Sequence, residues 1–246
     1  PSHIAVVFDP PGGSFRKDFF PEYKAQREAT PEPIIFAVPH IKAFLEAMGI
    51  EVIEVPRYEA DDVIGTMSVM AERDGFEVIM ATPDKDYGQL VTPKVSILAP
   101  QRGGGYDEIG PRDVCEKWKI AEPRQLIDIL ALMGDSADNF PGVPGIGPVM
   151  AAKLIAQYGS IETMIEHAHE IKCSAGDKVR NNIENALVSK RLATIALDAP
   201  VEFKPQDYEV VRPNLEALRA VLEPLELRTA MNNMQRYYEQ MVPTQE

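Results

Sequence analysis

Four times within the first 140 residues, a strand-like or helical run ends in carboxylates. Asp9 closes the run Ile4-Ala5-Val6-Val7-Phe8. Glu59, Asp61 and Asp62 follow the strand-like residues 51–55 and open a helical stretch. Asp84 and Asp86 follow residues 76–81, and Asp135 and Asp138 follow the apolar run 123–133. Open parallel sheets bind ligands at the carboxyl ends of their strands, which is where most of these acids fall. Capping explains any one group, because helix N-termini favour acidic side chains. It is a poor account of all four. Like charges a few ångströms apart repel by several kcal/mol at an effective dielectric of about 20, so convergence demands cations. An all-oxygen set without Cys or His selects Mg²⁺ or Mn²⁺ over Zn²⁺. Two such ions suit in-line attack of water on a phosphodiester. The acids point to phosphoryl chemistry.

The spacing between them supplies the fold. Residues 3–8, 51–55, 76–81 and 95–98 read as strands, while 34–48 and 60–73 carry apolar residues at helical spacing and stop near Gly49 and Gly75. This alternation predicts an α/β fold with a mostly parallel sheet flanked by helices. Residues 15–28 read as partly helical, and Gly103-Gly104-Gly105 as a loop or hairpin tip. Beyond Gly110 helices dominate, over 111–119, 123–133, 148–158, 161–167, 176–197, 215–222 and 227–238, with one further strand at 201–203. The division expected is an α/β core over 1–121, a helical subdomain over 122–200 and a closing segment over 201–246.

Charge adds a constraint. The 246 residues hold 25 Lys+Arg against 38 Asp+Glu, a net −13, which argues against coating nucleic acid through the overall field. Residues 1–30 carry four charges of each sign, and residues 142–197 carry six basic against five acidic. These two segments alone are not net acidic, so a local basic track remains open. No run of apolar residues is long enough to span a membrane. Cys115 and Cys173 lie far apart without metal-ligand spacing, and read as free thiols of a reducing cytoplasm.

A second pattern narrows the reading. Gly142-Val143-Pro144-Gly145-Ile146-Gly147-Pro148 precedes the helical run 149–158. Glycines permit tight turning and close backbone approach, and Pro148 suits a first helical turn. The free N–H groups of such a helix start form a phosphate site, with Lys153 on the same helix. In one chain with Val6-Val7-Phe8-Asp9, Tyr23-Lys24-Ala25-Gln26-Arg27, Glu59-Ala60-Asp61-Asp62, Asp84-Lys85-Asp86 and Gly134-Asp135-Ser136-Ala137-Asp138-Asn139, it becomes specific. The sequence resembles the 5′-nuclease domain family found at the N-terminus of bacterial DNA polymerase I, related to phage 5′-exonucleases and flap endonucleases.

The resemblance implies a PIN/resolvase-like core followed by a helix-hairpin-helix (helix-three-turn-helix) subdomain. It implies hydrolysis of 5′ ends and flaps by two-metal catalysis, in primer removal and repair. Asp9, Glu59, Asp61, Asp62, Asp84, Asp86, Asp135 and Asp138 match the metal-site carboxylates. Arg16, Lys24 and Arg27 match basic residues that grip the scissile phosphate, and a helical arch over residues 18–33 would cover the site, with Tyr23 as a stacking residue. Gly142, Val143, Gly145, Ile146, Gly147 and Lys153 would hold duplex DNA, with K⁺ on the turn's carbonyls. Implied partners are 5′ flaps, nicked or gapped duplex, RNA primers and polymerase domains of the same parent chain, in a cytoplasmic, nucleoid-associated protein. The family's domain begins with an earlier strand bearing an Asp, which nothing before Pro1 supplies. The expectation is therefore an N-terminally truncated piece with impaired cleavage. The alternative is a non-catalytic helix-hairpin-helix DNA-binding module; a small-molecule phosphatase fits less well, since no second Asp stands at Pro11.

Overall fold

Residues 1–172 and 174–241 are described by the computed structural model, so Cys173 lies outside the described residues. The backbone divides into two units. Residues 1–10, 28–55 and those from Glu202 onward form the first, and residues 11–27 with 56–201 form the second.

In the first unit, β1 (Ala5–Val7) and β2 (Glu51–Ile53) pair in parallel, with Ala5 opposite Glu51 and Val7 opposite Ile53. The crossover between them is α1 (Glu32–Ala47), which has Pro33 in its first turn. It stops at Gly49, whose φ of +70° suits glycine; a Cβ there would sit 2.3 Å from Val211. Two further helices close this unit, α9 (Leu215–Leu222) and α10 (Arg228–Met241). The Asn214 amide donates to the Ala47 carbonyl at 2.8 Å and ties α9 to the end of α1.

In the second unit, β3 (Val78–Ala81) and β4 (Val95–Pro100) run parallel, and β5 (Tyr106–Ile109) returns antiparallel to β4 through the glycine-rich tip. Before β3 comes α2 (Ala60–Arg73), and after β5 comes α3 (Pro111–Trp118). Then follow α4 (Leu126–Met133), α5 (Pro148–Tyr158), α6 (Ile161–Glu166), α7 (Ser174–Arg180) and α8 (Ile183–Ala193). The core centres on α4, whose Leu126, Ile129, Leu130 and Leu132 are fully buried. A helix apolar on every side belongs inside, and α4 is enclosed by α5 and α8.

Three expectations are corrected. The sheet is found as two among the described residues, β1–β2 and β3–β4–β5, each with a parallel pair. Residues 201–203 form no strand, having no ladder partner. The helix expected over 176–197 breaks at Asn181-Asn182, where the Asn182 side chain donates to the Lys178 carbonyl at 2.8 Å and draws the backbone out of register.

Candidate metal and nucleic-acid site

Two acidic groups form in the second unit, each gathered around cations. The first grows from the start of α2, where the dipole favours acids. One oxygen each of Glu59, Asp61 and Asp62 lie within 4.8 Å of one another. The Tyr23 hydroxyl donates to Glu59 Oε2 at 3.0 Å and to Asp138 Oδ2 at 3.2 Å, drawing Asp138 into the same group. Lys24 pairs with Glu59, and its Nζ lies 3.8 Å from Asp138. Arg27, half exposed, pairs with Asp138 Oδ1 at 2.6 Å. Burial, with Asp62 and Glu59 beside it, pushes the Asp61 carboxyl up to about 7.

The second group surrounds Lys85. Asp84 caps the 3₁₀ turn Lys85–Leu90 by accepting from the Asp86 amide at 2.9 Å. Lys85 Nζ donates to Asp135 Oδ2 at 2.8 Å and lies 3.8 Å from Asp86 Oδ1. That Asp86 oxygen is buried without a hydrogen bond. Burial and the neighbouring Asp84 push the Asp86 carboxyl up to about 7. Asp135 behaves oppositely. Burial alone would raise it, but the bonds from Lys85 and from the Ala137 and Asp138 amides outweigh that and hold it below the usual carboxylate range. The two groups touch electrostatically, since Asp138 acts on Asp86.

Glycine geometry joins this acidic loop to the hairpin turn. Asp135 and Phe140 exchange both backbone hydrogen bonds, closing a tight loop that presents Asp135 and Asp138. Gly134 and Gly142 then pass backbone against backbone; a Cβ on Gly142 would sit 2.2 Å from the Gly134 nitrogen. Beyond them α5 starts at Gly147 with Pro148 in its first turn. Gly145, Gly147 and Lys153 are exposed, whereas Val143 and Ile146 point into the core. Lys178 Nζ already donates to the Gly145 carbonyl at 2.9 Å, where K⁺ is expected from the resemblance.

Comparison with known proteins places this geometry in a family. A model of the 5′-3′ exonuclease N-terminal resolvase-like domain matches residues 1–119, and one of the 5′-3′ exonuclease C-terminal SAM fold matches residues 121–216. The chain belongs to the 5′-3′ exonuclease family. DNA polymerase I of Bacillus subtilis is 39% identical over 239 residues, covering 95% of this chain and 27% of the relative. The thermostable DNA polymerase I of Thermus thermophilus is 39% identical over 230 residues, again covering 27% of the relative. The chain thus spans about a quarter of the length of these curated relatives. Among solved structures, a T5 5′-exonuclease with bound zinc matches at a TM-score of 0.67 and 22% identity, covering 94% of this chain and 83% of that one. The catalytic core of Rad2 with a DNA substrate matches at 0.62 and 15% identity, covering 96% and 79%.

Within this exonuclease, several residues take places other than the sequence suggested. Arg16 is buried: it forks onto Asp62 at 2.7 and 2.8 Å, reaches Glu59 at 3.1 Å, and donates to the Leu192 and Thr194 carbonyls. It is closed to a scissile phosphate. The Asp62 oxygens also accept from the Ala196 and Glu59 amides, at 2.8 and 3.1 Å. Tyr23 is 2% exposed, and so offers no face for a base to stack on. Val143 and Ile146 can contribute only backbone to DNA. No helical arch forms over residues 18–33: a 3₁₀ turn over Phe15–Asp18 and further turns lead to α1 at Glu32. The turn segment instead binds the acidic loop directly, with Gln26 on the Ser136 and Ala137 carbonyls and the Lys24 amide on that of Asp138. Asp9 belongs to the first unit. Lys85 was missed as a site residue, although its place between Asp84 and Asp86 marked it.

Proposed function

We propose that the acidic cleft of the second unit binds two divalent cations, Mg²⁺ or Mn²⁺, and hydrolyses phosphodiesters at 5′ ends and flaps of DNA. The observation that carries this is Asp86, a carboxyl raised to about 7 with one buried oxygen left unbonded among further acids. An all-oxygen donor set in that state is built for a hard cation. Glu59, Asp61 and Asp138 would hold one ion, and Asp84, Asp86 and Asp135 the other. Such ions lower the pKa of bound water and polarise the phosphoryl oxygen.

The chain's own residues do the rest. Lys24 carries positive charge to the mouth of the first group, and the half-exposed Arg27 adds a second beside Asp138 that would attract a phosphate. Tyr23 stays protonated because burial and the facing Glu59 and Asp138 raise it, so its hydroxyl spaces those two carboxylates. The turn from Gly142 to Gly147 and the amides at the start of α5, with Lys153, would grip duplex backbone, and K⁺ would sit on the turn's remaining carbonyls. Flaps, nicked or gapped duplex and RNA primers are the substrates in this reading, polymerase domains the partners, and the cytoplasm beside the nucleoid the setting. No helix among the described residues is long and apolar enough to cross a membrane. A 5′-flap oligonucleotide assayed with Mg²⁺, with Mn²⁺ and with EDTA tests the proposal: metal-dependent cleavage lost in Asp86→Asn supports it. Duplex binding without cleavage under any metal favours the non-catalytic DNA-binding module.

A further inference from the structure

Lys85 stands inside the acidic cleft as a cation. Its ammonium lies 2.8 Å from Asp135 Oδ2 and 3.8 Å from Asp86 Oδ1, between the carboxylates of two separate loops. The side chain is 41% exposed, and it springs from the first residue of a short 3₁₀ turn. The head is thus engaged while the side chain stays partly open to solvent. Its contact with Asp135 is a single charge-assisted hydrogen bond. Arg16, by contrast, is buried and locked by Asp62, Glu59 and two carbonyls. We propose that Lys85 is a displaceable internal counter-ion: it holds Asp86 and Asp135 together without metal and leaves when a divalent cation takes those carboxylates.

The physical case is one of occupancy. Asp86 and Asp135 would otherwise face each other as like charges, and Lys85 offsets them with one positive charge where a divalent ion supplies two. An ammonium and a divalent ion on the same carboxylates repel, so only one is held at a time. Metal binding is therefore a competition that the lysine weakens. The gain is a cleft that keeps its shape while empty of metal.

This rests on the metal reading above, and the experiment separates the two. Mn²⁺ binding to the chain is measured by electron paramagnetic resonance, with no nucleic acid present, for the parent, Lys85→Met and Lys85→Arg. Lys85→Met keeps the stem and removes the charge, and its affinity for Mn²⁺ is expected to rise about tenfold at one site. Lys85→Arg is expected to stay at or below the parent. Adding Asp135→Asn to Lys85→Met abolishes the gain. A second measurement needs no variant: acetylation of Lys85 by an N-hydroxysuccinimide ester, followed by mass spectrometry, should rise several-fold when Mn²⁺ is added. Equal Mn²⁺ affinity in all three proteins, or unchanged acetylation, overturns the role of Lys85 and leaves the metal site intact. Absence of any Mn²⁺ binding overturns both.

Discussion

Arg16 and Asp62 face one another as a bidentate ion pair, at 2.7 and 2.8 Å, with both side chains shut off from solvent. Removing one partner leaves the other charge buried and alone. Arg16→Met is expected to cost about 3–5 kcal/mol of stability, measured by urea unfolding. Arg16→Lys falls between, since an ammonium cannot reproduce the fork. Pairing Arg16→Met with Asp62→Leu recovers much of the loss. A protein whose stability ignored Arg16→Met would return this arginine to the phosphate.

Gly142→Ala probes the junction between the acidic loop and the hairpin turn. The position has φ +57°, and the new methyl would meet backbone atoms of Gly134 and Met133 at 2.2 and 2.6 Å. A loss on the order of 3 kcal/mol follows from strain and displacement together. Gly147→Ala is the control, because its φ is −98° and no atom lies within 4 Å of the added carbon. Its melting temperature should stay at the parent value, and any effect should appear in duplex affinity.

Asp61 and Asp86 set a pH dependence of known sign. Both rise from 3.8 to about 7 on folding, so the folded chain holds the extra protons. Their contribution to stability is full below about pH 4 and is lost as pH climbs through 7, at about 1.4 kcal/mol per pH unit for each carboxyl within that window. Asp135 has the opposite shift, but it titrates below this range. Unfolding in EDTA should therefore show stability falling between pH 4.5 and 7.5. Mn²⁺ affinity should rise over the same interval as the carboxyls ionise. A flat profile in EDTA would refute the assignment.

Lys24 and Tyr23 act on the same two carboxylates by different means. Lys24→Met removes positive charge from beside Glu59 and Asp138, and should lower single-turnover flap cleavage by about 10²–10³ with little change in melting temperature. Tyr23→Phe keeps the ring and deletes the bridging hydroxyl, at an expected cost of about 1–2 kcal/mol. If the ring worked by stacking on a base, Tyr23→Phe would leave both stability and cleavage unchanged.

The acids were legible because their chemistry is local: carboxylates at the ends of apolar runs announce a cleft without knowledge of which runs meet. The helix bounds of α2, α5 and α9 were readable for a similar reason, each having a cap or a proline at its start. What escaped was set by distant partners. Arg16 reads as a surface cation in a polar stretch, and partners 43 to 178 residues away, Glu59, Asp62 and the carbonyls of Leu192 and Thr194, draw it inside. Tyr23 looks like a free aromatic until Glu59 and Asp138 claim its hydroxyl. The break at Asn182 depends on one side-chain bond, and periodicity does not register it.

The end of α8 serves both halves of the site. Its Ser189 hydroxyl accepts from the Gly142 amide at 3.0 Å, and its Leu192 carbonyl accepts from Arg16 at 3.1 Å. Less than one turn of helix, a rise of about 5 Å, separates the two contacts. The hairpin turn and the arginine that steadies Glu59 are thus pinned to a single stiff rod. Under the proposed function this makes α8 a gauge: the offset between the turn that would grip duplex and the carboxylates that would hold metal is a length built into the protein.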